Sequence, residues 1–291
     1  MFDLVVPASL AVVVLALASA AAWGTSDFGG GFLGRRSPVL GVLVVTQGAG
    51  LLIALPLMIA RGEPLLEGRD LALGLGGGLL AVVGVGSLYG GLAIGRMGVV
   101  APVAAVLTAI TPALIGIALE GAPQPIAIAG MVLAIGAVVV VSRVADHAGA
   151  DRPSGLSLAI VAGVSLGLLS FVLSRVDDAY LLAPLVALRG VQVVVFSAIV
   201  VLGRRAWRLP RPSWPLALGV GAIDLAGNVA FISAARIELA PAAVLSSLYP
   251  VVTVLLAATI LHERMTRSHV AGILLALVGV AMIASGVAAG P

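Results

Sequence analysis

Arg189, Asp224 and Asn228 stand inside stretches of sequence that are otherwise almost wholly apolar. An ionised side chain at bilayer depth costs roughly 2.5–3.5 kcal/mol on the lenient insertion scale, so it needs a partner or a water-filled cavity. At 1.5 Å per helical residue, Arg189 lies about 12 Å into its run, Asp224 about 16 Å and Asn228 about 10 Å. Arg189 sits in the seventh apolar run and the other two in the eighth, which returns the opposite way, so the three share a level. That predicts an Arg189–Asp224 ion pair with Asn228 adjacent, either bordering a solute cavity or purely locking two helices together. Asp27, after Ser26 at the end of the first run, is either a protonatable coupling group or a membrane-edge carboxylate paired with Arg35 and Arg36. Trp23 is a cavity wall or part of an interfacial belt. Glu120 and Glu263 sit at junctions between runs, where a carboxylate caps the following helix N-terminus.

Neutral polar groups recur at similar depths: Gln47, Ser87, Tyr89, Thr108, Thr111, Ser165, Ser170, Gln192, Ser246, Ser247 and Tyr249. A helical Ser or Thr often satisfies its own helix carbonyls, so no single one carries weight. Their concentration just before Pro112 and Pro250 is more telling. Proline frees carbonyls that are tolerated only where protein or water satisfies them. Pro102, Pro112, Pro241 and Pro250 therefore mark either bends that gate or static kinks. The candidate cavity residues are Trp23, Asp27, Gln47, Tyr89, Thr108, Thr111, Ser170, Arg189, Gln192, Asp224, Asn228, Ser246, Ser247 and Tyr249.

Catalytic constellations are missing. Cysteine is absent, which removes disulfides, thiolate metal sites and cysteine nucleophiles. HERMTRSH places His262 and His269 seven residues apart rather than the four of an HExxH zinc site, and there is no GxSxG. The GLGGG run of the third span has no Lys-Ser/Thr and lies in an apolar helix, so it reads as close helix packing rather than a phosphate loop. No enzyme, metal or organic cofactor is expected.

The elements that must position these groups are membrane helices. The chain of 291 residues is 61% hydrophobic and only 10% charged, with a mean hydropathy of +1.21. A soluble domain carries about 25% charged residues, so the solvent for this surface is the lipid bilayer. The 16 basic side chains are all arginine. They gather at the ends of apolar runs, which fits membrane orientation and not nucleic-acid binding. The opening MFDLVVP lacks a basic n-region, so no cleavable signal peptide is expected. Ten runs are long enough to cross a core of about 30 Å. They fall roughly at 8–28, 38–59, 70–92, 98–119, 124–142, 155–175, 181–202, 214–235, 240–261 and 267–287. The expected fold class is therefore all-α, with ten transmembrane helices.

The chain also repeats itself. WGTSDF (23–28) aligns with LGLLSF (166–171), Gln47 with Gln192, and APVAAVLTAITP (101–112) with APAAVLSSLYP (240–250), preceded by Arg96 and Arg236. Pro112 leads to Glu120 after 8 residues and Pro250 to Glu263 after 13, so the copies are imperfect. Five spans per half is an odd number, so the second copy must lie inverted, with a site expected at the repeat interface near the midplane. The expected halves are residues 1–145 and 153–291.

With these markers in place, the sequence resembles the drug/metabolite transporter superfamily, specifically the EamA-type ten-span transporters. The resemblance rests on Trp23-Gly24 closing the first span, Arg189 in the seventh, and the closing HERMTRSHVAGILLALVGVAMI (262–283). It departs in having His262 where Gly is usual, Thr46 and Gln47 where an Arg is frequent, and EGAPQP at the fourth–fifth junction. It implies a multi-pass protein of the inner or plasma membrane that exports or exchanges a small organic metabolite or drug-like solute by alternating access. Its partners would be a small-molecule substrate and the bilayer, with proton or counter-solute coupling. A passive channel or facilitator and a structural membrane subunit are the alternatives. Orientation is indicated in two opposite ways. Of the 15 arginines outside the seventh span, 11 lie in odd-numbered loops, which places those loops in the cytoplasm, whereas the resemblance implies cytoplasmic termini.

Overall fold

The computed structural model describes residues 8–120, 124–147, 154–237, 242, 245–246, 248–263 and 266–288. Among them are ten α-helices: α1 (Ala8–Gly34), α2 (Val39–Ala60), α3 (Gly68–Ile94), α4 (Met97–Glu120), α5 (Pro125–His147), α6 (Leu156–Leu173), α7 (Ala183–Leu202), α8 (Trp214–Ile237), α9 (Tyr249–Ile260) and α10 (Arg267–Ala288). Six are long and apolar enough to cross a membrane, and α4, α5, α9 and α10 hold shorter apolar stretches. Large apolar side chains such as Leu52, Ile59, Val132, Val194 and Val201 face outward. Only hydrocarbon tolerates such a belt in quantity. The chain is a multi-pass membrane protein.

Helix pairing carries the symmetry expected of the repeat. α1 packs on α8 as α6 packs on α3, α2 on α8 as α7 on α3, and α1 on α9 as α6 on α4. The pairs α2–α7, α4–α9 and α5–α10 are each made of counterparts. Exchanging the halves therefore maps these contacts onto themselves. Because each half has five spans, the exchange also reverses direction across the membrane. The register aligned in the sequence reappears in the packing. Gly24 lies against Tyr249 and Val252, and its counterpart Gly167 lies against Thr111 and Thr108. The fold is two inverted five-helix repeats.

Glycine sets how closely these helices approach. The first span was expected to end near residue 28, yet α1 runs on to Gly34 through three consecutive glycines. A glycine-rich helix end is intrinsically weak. Here Gly29 receives Val220, Gly30 the Tyr89 ring, and Gly31 Leu92 and Met97, so tertiary packing overrides propensity. In α3, Gly74, Gly78 and Gly84 likewise receive Ala187, Val191 and Leu166 of α7 and α6, the close packing expected of that run.

The prolines behave differently from one another. α4 continues through both Pro102 and Pro112. Pro250 falls in the first turn of α9, where its missing N–H costs nothing. The described helix there begins nine residues later than the 240 expected, with Leu248 as its cap; Pro241 lies outside the described residues.

Candidate functional site

Mid-way along their helices, α2, α7 and α8 each supply one polar group to a single cluster. The Arg189 guanidinium donates through Nη1 to Gln47 Oε1 at 3.0 Å and through Nη2 to Asp224 Oδ2 at 2.5 Å. Asn228, one turn along α8, donates to the Asp224 carbonyl at 2.7 Å and faces Oδ2 at 3.5 Å. Arg189 reaches this place because Gly50, one turn beyond Gln47 on α2, has no side chain: the guanidinium lies against its Cα, where any Cβ would stand. Gly221 does the same for the α2–α8 crossing, resting on the Thr46 carbonyl and Ala49. The sequence thus makes the ion pair by spending two small residues on close approach, one under the guanidinium and one under the carboxylate's helix.

Burial of the pair is unequal. Arg189 is 1% exposed, but the Asp224 side chain is 25% exposed. Asp224 is mid-span, and an ionised carboxylate open to lipid at that depth is costly. That cost makes its open face the natural edge of a candidate solute site. Asn228, one turn away, and Trp23, packed on Gly227, are half-buried nearby. Trp23 meets Phe231 of α8 at 5.3 Å between centroids and the Tyr249 ring edge-on at 6.2 Å.

Asp27, one turn beyond Trp23, belongs to this group rather than to the membrane edge. It is 8% exposed and close enough to Asp224 and Tyr249 for charge to be felt between them. Neither arginine expected to pair with it does so. Arg35 bonds Glu263 at 2.7 Å, and Arg36 stacks over Phe32 at 4.2 Å. The extension of α1 to Gly34 is the reason, since it sets Asp27 two turns inside the helix. Asp27 makes no hydrogen bond or ion pair among the described residues. Tyr89 completes the region from α3, its ring on Gly30 and its hydroxyl beside Thr46.

Other candidates lie apart. Thr108 and Thr111 bond their own helix carbonyls, at Ala104 and Leu107, and press on Gly163 and Gly167 of α6. Ser170 bonds Leu166 O at 2.9 Å and is exposed. Ser246 donates to Ala16 O at 3.3 Å in the α1 contact. Gln192 is buried one turn beyond Arg189 but turns toward α3, donating to Ala81 O at 3.4 Å. Ser247 lies outside the described residues. The counterparts of Asp27, Arg189 and Asp224 in the opposite repeat are Ser170, Val44 and Ala81, so the charged cluster has no symmetric twin.

The helix ends hold two carboxylates of a different kind. Glu263 does cap a helix, though α4 rather than the α10 that follows it. Its Oε2 accepts from Gly98 N at 3.4 Å, while Arg35 also grips Leu92 O and Gly95 O. One network thereby joins α1, the α3–α4 turn and the α9–α10 junction. At the opposite end Glu63 Oε1 accepts from the amides of Leu181, Leu182 and Ala183 at 2.7–2.8 Å, anchoring the start of α7. Glu63 and Phe231 were not singled out in the sequence, since neither has a local signal. The Glu120 side chain lies outside the described residues.

The molecule is thus an all-helical, twofold-repeated membrane bundle with an ion pair mid-way through it. The family model for EamA-like transporters matches residues 10–143 and 153–285, and the chain belongs to that family. No curated protein matches it. Among solved structures, one described as "Crystal structure of protein" is similar over 96% of this chain and 97% of that one, at 18% identity and a TM-score of 0.61, which shows the shared fold. The chain is a membrane transporter of small solutes.

Proposed function

We propose that this protein is a secondary transporter of the cell membrane that exports or exchanges a small organic solute by alternating access. The observation that carries the reading is the mid-span Arg189–Asp224–Gln47 cluster, built from both repeats and partly exposed on the Asp224 side; we take the half-buried Trp23, Asn228 and Phe231 as the wall of a crevice there. Inverted repeats supply two related packings of one bundle around a fixed central site. A structural subunit has no use for a costly charge placed at the crossing of its halves, and a passive channel would line its pore with rings of like charge or a filter loop. The test runs in two stages on purified protein. Amino acids, nucleosides, sugars, sugar phosphates and cationic drugs are scanned for a thermal shift, and the stabilising compound is then loaded into proteoliposomes. Saturable counterflow of the labelled compound is expected. Flux that rises linearly with concentration and shows no counterflow would overturn the carrier in favour of a pore.

On this reading the Arg35–Glu263 network is the latch that holds one end of the crevice shut. Because the chain contains no cysteine, Ser26→Cys gives a single thiol about 12 Å below the Gly34 end of α1. Adding Glu263→Gln is expected to raise its labelling by a membrane-impermeant maleimide from that end severalfold. An unchanged labelling rate would remove the latch from the mechanism.

A further inference from the structure

Asp27 poses a charge problem that the Arg189–Asp224 pair does not solve. The one guanidinium of the cluster is bonded to Asp224 and Gln47, and Asp27 is left without it. Asp27 is more than nine-tenths buried and has no hydrogen-bonding partner among the described residues. A buried carboxylate without a partner is costly, so its place in the fold calls for a positive group that comes and goes. A cluster of three aromatic rings begins one turn from it. Trp23 is one turn away on the same face of α1, and Phe231 and Tyr249 pack on Trp23 from α8 and α9. Aromatic faces near an anionic group attract a weakly hydrated organic cation better than a strongly hydrated metal ion, because the ring quadrupole rewards a cation that sheds its water cheaply. Trp23, Phe231 and Tyr249 are each half-buried, so part of each ring remains accessible.

We infer that the solute is an organic cation, an amine or quaternary ammonium with an apolar body, whose charge docks between Asp27 and the Trp23–Phe231–Tyr249 wall. The inference rests on the carrier reading above and names its substrate class. Arg189 and Asp224, being paired to each other, frame the site without adding net charge. An anionic solute would meet the unpaired Asp27 and be repelled, so the same geometry excludes anions.

Equilibrium dialysis of the purified full chain tests this with probes of fixed charge and matched shape. These are benzyltrimethylammonium, the net-neutral benzyldimethylamine N-oxide, and benzylsulfonate. The cation is expected to bind at least tenfold more tightly than the N-oxide, with no binding of the sulfonate. Asp27→Asn is expected to erase the cation's advantage while leaving the melting temperature unchanged or higher, since it removes an unpaired charge. Should that variant fail to fold, Trp23→Leu decides the matter by weakening the cation at least threefold more than the N-oxide. Equal affinity for cation and N-oxide, or a cation preference that survives D27N and W23L, would overturn the inference. So would counterflow of a neutral solute that loses its sensitivity to a protonophore in D27N, which would make Asp27 a proton carrier. In either of those cases, counterflow that still depends on Arg189 would leave the carrier reading standing without this substrate class.

Discussion

Arg189→Leu is expected to abolish transport and to lower stability more than any other single side-chain change in the protein. The substitution removes the sole positive charge from a cluster with two carboxylates and leaves Asp224 facing Asp27. Removing one partner of a buried pair typically costs about 3–5 kcal/mol, because the other charge is stranded. The companion variant separates the contributions. Replacing a buried pair by apolar residues of similar volume is often neutral or stabilising, so Arg189→Leu/Asp224→Leu should recover most of the melting temperature lost in the single variant. Transport should stay absent in the double variant, since the frame of the site is gone. A double variant that is both stable and active would show that the pair only holds α7 against α8. Thermal melting in detergent and counterflow in proteoliposomes, on the same preparations, give both readings.

Gly221→Ala is expected to be damaging out of proportion to the one methyl group it adds. The new Cβ would enter the Thr46 carbonyl and crowd Ala49, and a backbone oxygen cannot turn aside as a flexible side chain would. The helices must part instead, at a cost of about 1–3 kcal/mol or more. Parting α2 from α8 draws Gln47 away from Arg189 and Asp224, so counterflow should fall along with the melting temperature. Gly219, two residues earlier on α8, is the internal control, because nothing stands within 4 Å of its missing Cβ. Gly219→Ala should be neutral or raise stability by about 0.5–1 kcal/mol through helix propensity alone. If the two variants melt alike, the α2–α8 crossing is looser than its geometry indicates.

What could be read in advance follows a physical division. The Arg189–Asp224 pair was legible because depth in a membrane helix is arithmetic: residues counted from the end of an apolar run, at a fixed rise, put both charges on one level. The repeat was legible because Pro, Arg and Glu markers recur in order in a chain otherwise made of a few small apolar residues. Gln47 as a partner of Arg189 was not foreseen, although its position was marked, because nothing in α2 announces which face meets α7. Gly50 and Gly221 were invisible for the same reason. A glycine's role in such a bundle is fixed by what lies across from it, and the sequence alone does not say. Asp27 was misassigned to an ion pair at the membrane edge as one of two readings, because the glycine triplet after it looked like a helix end. The contacts of Gly29, Gly30 and Gly31 with α8, α3 and α4 carry the helix onward and bury the carboxylate. The capping role of Glu263 was foreseen in kind, yet its target is α4, a choice made by tertiary proximity and not by chain order.

The lopsided placement of charge has a consequence for energetics. Were the two halves identical in side chains as well as in backbone course, swapping their roles would return a state of equal free energy, and the unloaded protein would divide its time evenly between its two faces. Asp27, Arg189 and Asp224 are answered in the opposite repeat by Ser170, Val44 and Ala81, so that degeneracy is lifted at three positions. Among carriers built on this plan, the resting preference for one side need not be written in the scaffold at all; it can be set, and reset, by a handful of substitutions around a symmetric frame.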